Sequence, residues 1–181
     1  MEDEPPVVDV VAWSPHWAGA FERARTQLLP VLPPGSTVEH IGSTSVPGLP
    51  AKPVIDILVT TEKIDDLRAD LRGLEALGYR YNPKYFADDP DHLFLRRDTD
   101  GHRTEHLHIF HPRSPMPTSN RAFRDFLSAN ESAAQRYAEA KRTAARTHPS
   151  SRAAYGQAKE QTLQQLLAEA RAWAADASNG D

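Results

Sequence analysis

No cysteine occurs among the 181 residues, which excludes disulfides and thiolate-bound metals and leaves His, Asp, Glu and backbone oxygen as ligands for any ion. No apolar run approaches the roughly 20 residues that a membrane-spanning helix needs. The first residues, Met1 to Pro6, are acidic and carry two prolines where an export signal would be basic and then apolar. A soluble, cytoplasmic protein with no membrane attachment is expected. A dominant charge is missing as well: 21 basic and 25 acidic residues are interspersed for a net charge of −4. That balance gives no broad positive surface, and no binding to a nucleic-acid backbone is expected. A small anion remains a plausible ligand, because a local pocket can be positive on an acidic protein. Lysine is scarce beside arginine, a coding bias given no functional weight.

Repeats and low-complexity tracts are also missing, so the chain reads as one domain over residues 11–175. The ends, 1–10 and 176–181, are expected to be flexible. Ser14 and Pro15 open a helix whose apolar positions Trp17, Phe21, Ala24 and Leu28 recur at helical spacing up to Pro30. Pro33-Pro34-Gly35 breaks it, and Thr37 to Ile41 follows as a short strand ending at Gly42. Ser43 to Pro53 has no period and reads as a long loop. Val54 to Val59 is almost wholly apolar and β-branched, the mark of a central strand buried on both faces.

One helix is then expected from Thr60 or Thr61 through Ile64, Leu67, Leu71, Leu74 and Leu77, stopped by Gly78. Tyr79 to Tyr81 reads as a strand. After a polar loop, His92 to Arg97 and Arg103 to His111 alternate around Asp98-Thr99-Asp100-Gly101 as a hairpin. From Ser119 the chain reads as helical: Arg121 to Ala129, then Glu131 to Thr147 capped by Asn130, then Ser151 to Ala175 with Leu163, Leu166, Leu167, Ala170 and Trp173 on one face. Helices gathered after a mixed sheet make an α+β fold.

The strand Val54 to Val59 carries a single charge, Asp56, and a lone buried carboxylate costs several kcal/mol unless something pairs with it. Asp56 therefore needs a partner or a ligand. Gly42-Ser43-Thr44-Ser45 ends the preceding strand, and a glycine followed by hydroxyl residues can turn backbone N–H groups and side-chain hydroxyls toward an anion. His106 and His108, two apart on one strand face with Glu105 on the other, supply two imidazoles. With Asp56 they make a set suited to Zn²⁺, Mn²⁺, Fe²⁺ or Ni²⁺ more than to Mg²⁺. Alternatively one histidine neutralises Asp56 while the other donates to a hydroxyl or a bound phosphate, or the pair serves as general acid or base. Lys52 can meet a phosphate as a point charge and Arg124 as a bidentate fork. His40, Arg96 and Lys141 are further cleft candidates.

The run from Glu39 through His40-Ile41-Gly42-Ser43-Thr44-Ser45-Val46-Pro47-Gly48-Leu49-Pro50-Ala51-Lys52-Pro53-Val54-Ile55-Asp56 to Ile57 resembles the signature of the GrpB family. Two further segments agree: His106 to Phe110, and Phe123-Arg124-Asp125-Phe126-Leu127 followed by Tyr137 and Lys141. The resemblance extends from Trp13 to Trp173. It implies a nucleotidyltransferase-like mixed β-sheet with flanking helices and a C-terminal helical segment, similar also to the extra C-terminal domain of some dephospho-CoA kinases. It further implies a glycine-serine loop gripping the phosphates of ATP or another nucleoside triphosphate. Strand carboxylates would hold a divalent metal, Mg²⁺ or Mn²⁺, with Zn²⁺ as the alternative. The expected activity is transfer of a nucleotidyl or phosphoryl group to a small molecule, or its ligation. Leu58 stands where such enzymes carry a second carboxylate. That keeps two other readings open: a non-catalytic nucleotide- or coenzyme-binding module, and a metal-dependent hydrolase using Asp56, His106 and His108.

Overall fold

Trp17, Phe21, Ala24 and Leu28 lie on one face of α1 (His16–Leu28) and are all buried, so hydrophobic spacing alone sets how this helix lies against the sheet. The computed structural model describes residues 8–86 and 88–178. Among them the chain continues with β1 (Thr37–Ile41), a 3₁₀ turn over Ser43–Ser45, β2 (Ile55–Thr60), α2 (Ile64–Ala69), α3 (Arg72–Ala76) and β3 (Tyr79–Tyr81). β4 (His92–Thr99), β5 (His102–Phe110), α4 (Met116–Ala129), α5 (Glu131–Thr147) and α6 (Arg152–Ser178) complete it. No helix among the described residues is long and apolar enough to cross a membrane.

The five strands form one mixed sheet in the order β1-β2-β5-β4-β3. β2 runs parallel to β5 and antiparallel to β1, while β4 runs antiparallel to both β5 and β3. This is the mixed α+β arrangement expected from the sequence. The hairpin closes more tightly than the polar run suggests, because Asp100 and Gly101 both take positive φ (52° and 77°), the conformation of a two-residue type I′ turn.

Alternation along the strands divides the sheet into two faces. Ile55, Ile57, Val59, Leu93, Leu95, Leu107 and Ile109 point one way and join α1 to α3 in the main core. At about 1.5–3 kcal/mol for each fully buried aliphatic side chain, this face holds the sheet in place. Glu105 shares that face, where the Tyr79 hydroxyl and the Arg97 guanidinium both donate to it. Asp56, Leu58, His106, His108 and Phe110 point the other way, where α4 to α6 and the loop after the 3₁₀ turn form a second core around Val46, Leu49, Phe126, Tyr137 and Leu166.

Several expectations need correcting. The helix expected through Leu77 is two helices, because Asp70 is extended (φ −140°, ψ 96°) and its carboxylate takes the backbone N–H of Arg72 at 3.1 Å and its guanidinium at 2.9 and 2.6 Å. Such a side chain competes with the helical ladder. α4 begins at Met116, five residues before Arg121, and places Pro117 within its first turn, where a missing N–H costs nothing. The expected flexible start is docked from Val8, which is buried and donates its N–H to the Pro149 carbonyl at 2.7 Å; residues 1–7 and 179–181 lie outside the described residues. Asn130 does cap α5, its Oδ1 accepting from the Ala133 N–H at 3.0 Å.

Candidate functional site

Gly42 turns the chain out of β1 with φ 72° and ψ −173°, a region that only glycine occupies readily. Its carbonyl then accepts from both the backbone N–H (3.2 Å) and the hydroxyl (2.6 Å) of Ser45, which closes the 3₁₀ turn. Ser45 thus shapes the loop and leaves Ser43 and Thr44 on the wall of a cavity of about 190 Å³. His40 lies behind that wall. It is within 2.9 Å of the Thr44 hydroxyl and stacks on Phe21 at 4.9 Å, and burial pushes its pKa down to about 4. It is a neutral support for the loop.

Asp56 enters the cavity from β2, and His106, its register partner on β5, bonds to it through Nδ1 at 2.9 Å from Oδ1. Burial alone would raise the Asp56 carboxyl. The His106 hydrogen bond, then the charges of His106, His108 and Lys52, outweigh burial and hold it below the usual carboxylate range. An ionised Asp56 only accepts, so His106 Nδ1 is the donor in this bond. His108 is one residue pair deeper and does not border the cavity. Burial lowers its pKa to about 4, against the pull of Asp56, and its Nδ1 lies 3.2 Å from Nε2 of His92. Asp56, His106 and His108 still offer ligand atoms within 4.8 Å of one another. Two imidazoles and a carboxylate fit a borderline divalent ion such as Zn²⁺ or Mn²⁺. The side chain one step along β2, Leu58, is fully buried against Ile41 and Phe110 and adds no oxygen ligand.

The opposite wall is cationic. Lys141 of α5, 2% exposed, donates to the Pro50 carbonyl and lies 4.6 Å over the Tyr137 ring. Burial, with Lys159 and Arg142 adding repulsion, brings its pKa down to about 7. Lys159 of α6 sits 5.9 Å from the Tyr137 ring and 5.8 Å from the Tyr155 ring, and Lys52 lies 5.2 Å from that of Tyr155. Burial lowers the pKa of both lysines and raises that of both phenols, Tyr155 to about 12, so both phenols stay protonated. Three of the five lysines in the chain therefore meet in one cavity.

Ser43, Thr44, Lys52, Asp56, His106 and Lys141 come together as candidates should. Arg124 does not: its guanidinium is taken by Asp125 (2.7 Å), the His40 carbonyl (3.2 Å) and Glu39 (3.6 Å), outside the cavity. Arg96 faces the same side of the sheet opposite His106 but pairs with Asp98 at 3.7 Å. Tyr155 and Lys159 were not singled out by the sequence reading. The signal was there, since Tyr137-x-x-x-Lys141 and Tyr155-x-x-x-Lys159 repeat one i, i+4 pair on consecutive helices.

Residues 7–169 match a protein family described as GrpB protein. A crystal structure of the conserved protein GrpB from Enterococcus faecalis superposes with a TM-score of 0.83 at 32% identity, over 91% of this chain and 99% of that one. The chain is 36% identical over 168 residues to a UPF0157 protein of Pseudomonas aeruginosa, spanning 89% of this chain and 65% of that protein. It is 29% identical to the UPF0157 protein YqkA of Bacillus subtilis, of which it spans 50%. It thus covers between half and two-thirds of these two relatives. A poly(U) polymerase, Cid1 bound to MgATP, aligns over 73% of the chain at 12% identity and a TM-score of 0.43, too distant to bear on the site.

Proposed function

This chain belongs to the GrpB family, and on that footing we propose that its cavity binds the phosphates of a nucleoside triphosphate or another phosphorylated small molecule. The reaction served is transfer of a nucleotidyl or phosphoryl group to a small-molecule acceptor, or its ligation. The observation that carries the reading is the asymmetry of the walls: Lys52, Lys141 and Lys159 face Asp56 and His106 across about 190 Å³. Ammonium, phenol and hydroxyl groups give that space many donors and one carboxylate acceptor, the complement of a compact polyanion.

Asp56, His106 and His108 would hold a divalent ion, which when bound neutralises charge on phosphate oxygens. The chain's own groups do the rest. Lys52 and Lys159 fix the anion as point charges, and the Ser43–Ser45 turn sets its limit. In the alternative in which no ion is held there, His106 Nε2, its partner nitrogen tied to Asp56, is the group placed to take a proton from an incoming hydroxyl. The buried Leu58 favours a second reading, binding without turnover, because a two-metal carboxylate site is incomplete. Calorimetric titration with ATP and with tripolyphosphate, with and without Mn²⁺, followed by incubation with labelled nucleoside triphosphates and cell metabolites, separates the two. Binding lost in Lys52→Ala/Lys159→Ala supports the proposal, binding without product favours the second reading, and absence of binding overturns both.

A further inference from the structure

The lysine cavity is smaller than the roughly 300–1,000 Å³ of sites that enclose a drug-sized ligand. A nucleotide whose phosphates fill about 190 Å³ must leave its base outside. Across β5 from His106 the surface is aromatic. The Phe94 ring lies 5.4 Å from that of His106, and both Tyr85 and Phe86 meet Phe94 edge-on at 5.5 Å. Tyr85 and Phe86 are consecutive yet 43% and 50% exposed. Single exposed apolar residues are ordinary, but two neighbouring rings joined to a functional cleft are not. Phe86 also has φ 57°, left-handed backbone that a bulky side chain rarely adopts and that tends to persist where function requires it. Arg96 and Arg80, opposite one another in the β4–β3 register, share this face and bring guanidinium donors to its border.

We propose that Tyr85, Phe86 and Phe94 form a shelf that stacks the nucleobase of a ligand whose phosphates occupy the lysine cavity. The proposal rests on the phosphate-binding reading of that cavity and adds the ligand class: a nucleotide, not a bare phosphorylated metabolite. A stacked base needs only a flat π-face, so the shelf confers affinity with little discrimination among bases. Phe94 is 7% exposed and forms the floor. The two exposed rings form the adjustable rim.

The test is calorimetry of the full chain with ATP and with tripolyphosphate, for wild type and for Tyr85→Ala/Phe86→Ala, two side chains that are about half exposed and do not line the lysine cavity. ATP should bind wild type about tenfold more tightly than tripolyphosphate. The double variant should lose that advantage while its tripolyphosphate affinity stays the same, and Phe86→Trp should retain it. Equal affinity of wild type for the two ligands overturns the shelf and leaves the phosphate cavity standing. So does a variant that keeps its preference for ATP, including one that differs from wild type only in self-association. Failure of both ligands to bind removes the cavity reading and the shelf with it.

Discussion

A Cβ added to Gly42 would stand 2.3 Å from Oδ2 of Asp56. The loop and the strand carboxylate are thus packed backbone against side chain, and the turn is as close to Asp56 as a chain can come. Gly42→Ala meets two costs at once, the clash and a glycine-only backbone, the latter about 1–3 kcal/mol by itself. We expect a fall in melting temperature of roughly 5–10 °C for a chain of this size, with weaker anion binding as the turn moves away. Gly48→Ala is the control for backbone strain, since φ is 79° there but the added Cβ meets nothing within 4 Å. A Gly42→Ala variant no less stable than Gly48→Ala would show that the close approach is unimportant.

Asp56→Asn keeps an oxygen for the His106 hydrogen bond and removes the charge. In wild type the carboxyl is held below its usual range, so its contribution to stability is present above about pH 4 and is lost as pH falls through the folded-state value. The variant should melt lower at pH 7 and lose less on acidification below pH 4. Its Mn²⁺ or Zn²⁺ affinity should drop at least tenfold. Scanning fluorimetry at pH 7 and 3.5, with metal titrations, reads all three. Unchanged metal affinity would remove Asp56 from the ligand set.

The lone charge of β2 announced its partner in the sequence, because an apolar β-branched strand permits a carboxylate only where something answers it. Strand positions and the Asn130 cap were legible for the same reason: each is a local pattern with a local cause. What was hidden depends on tertiary docking. Arg124 and Lys141 sit on adjoining helices with similar prospects, yet Arg124 is taken by Glu39, Asp125 and a carbonyl of β1 while Lys141 is turned inward over Tyr137. Only the angle of α4 and α5 against the sheet decides that. Lys159 enters the cavity because α6 packs back along α5, a contact no local period announces.

Three histidines, His40, His92 and His108, are buried enough that each has its pKa lowered to about 4. Between that value and 6.5 the unfolded chain binds protons that the folded chain refuses, so stability rises with pH across this window and falls on acidification. Each imidazole contributes at most about 1.4 kcal/mol per pH unit. Urea midpoints at pH 7, 6 and 5 should decline steadily. A flat profile would mean that these rings are open to water.

Lys141 gives the opposite region of the pH scale its own signature. With its pKa lowered to about 7, the ligand-free chain gains stability as pH rises from 7 toward 10.5, because only the unfolded amine stays charged there. An anion binds the ammonium form, so tripolyphosphate affinity should fall as pH rises through 7, with proton uptake detectable in buffers of different ionisation enthalpy. Lys141→Met should flatten that dependence relative to wild type and weaken binding about tenfold at pH 6. An unaltered pH profile in the variant would assign the proton to another group.

Leu58 is the residue that separates this site from a two-carboxylate one, and its surroundings explain why restoring the carboxylate is costly. It is fully buried with Ile41 and Phe110, which are 3% and 1% exposed, so Leu58→Asp places a charge in an apolar pocket whose register neighbours are His108 on β5 and the carboxylate-bearing Glu39 on β1. An uncompensated buried charge costs about 3–5 kcal/mol, or about 10 °C in melting temperature, whereas Leu58→Met should cost little. Because Leu58 shares its strand face with Asp56, Mn²⁺ should recover part of the loss in Leu58→Asp and none in Leu58→Met. Recovery shows that position 58 can reach the ion and that the apolar pocket, not distance, keeps the second carboxylate out. A Leu58→Asp variant that stays destabilised at saturating Mn²⁺ would place the ion beyond that side chain's reach.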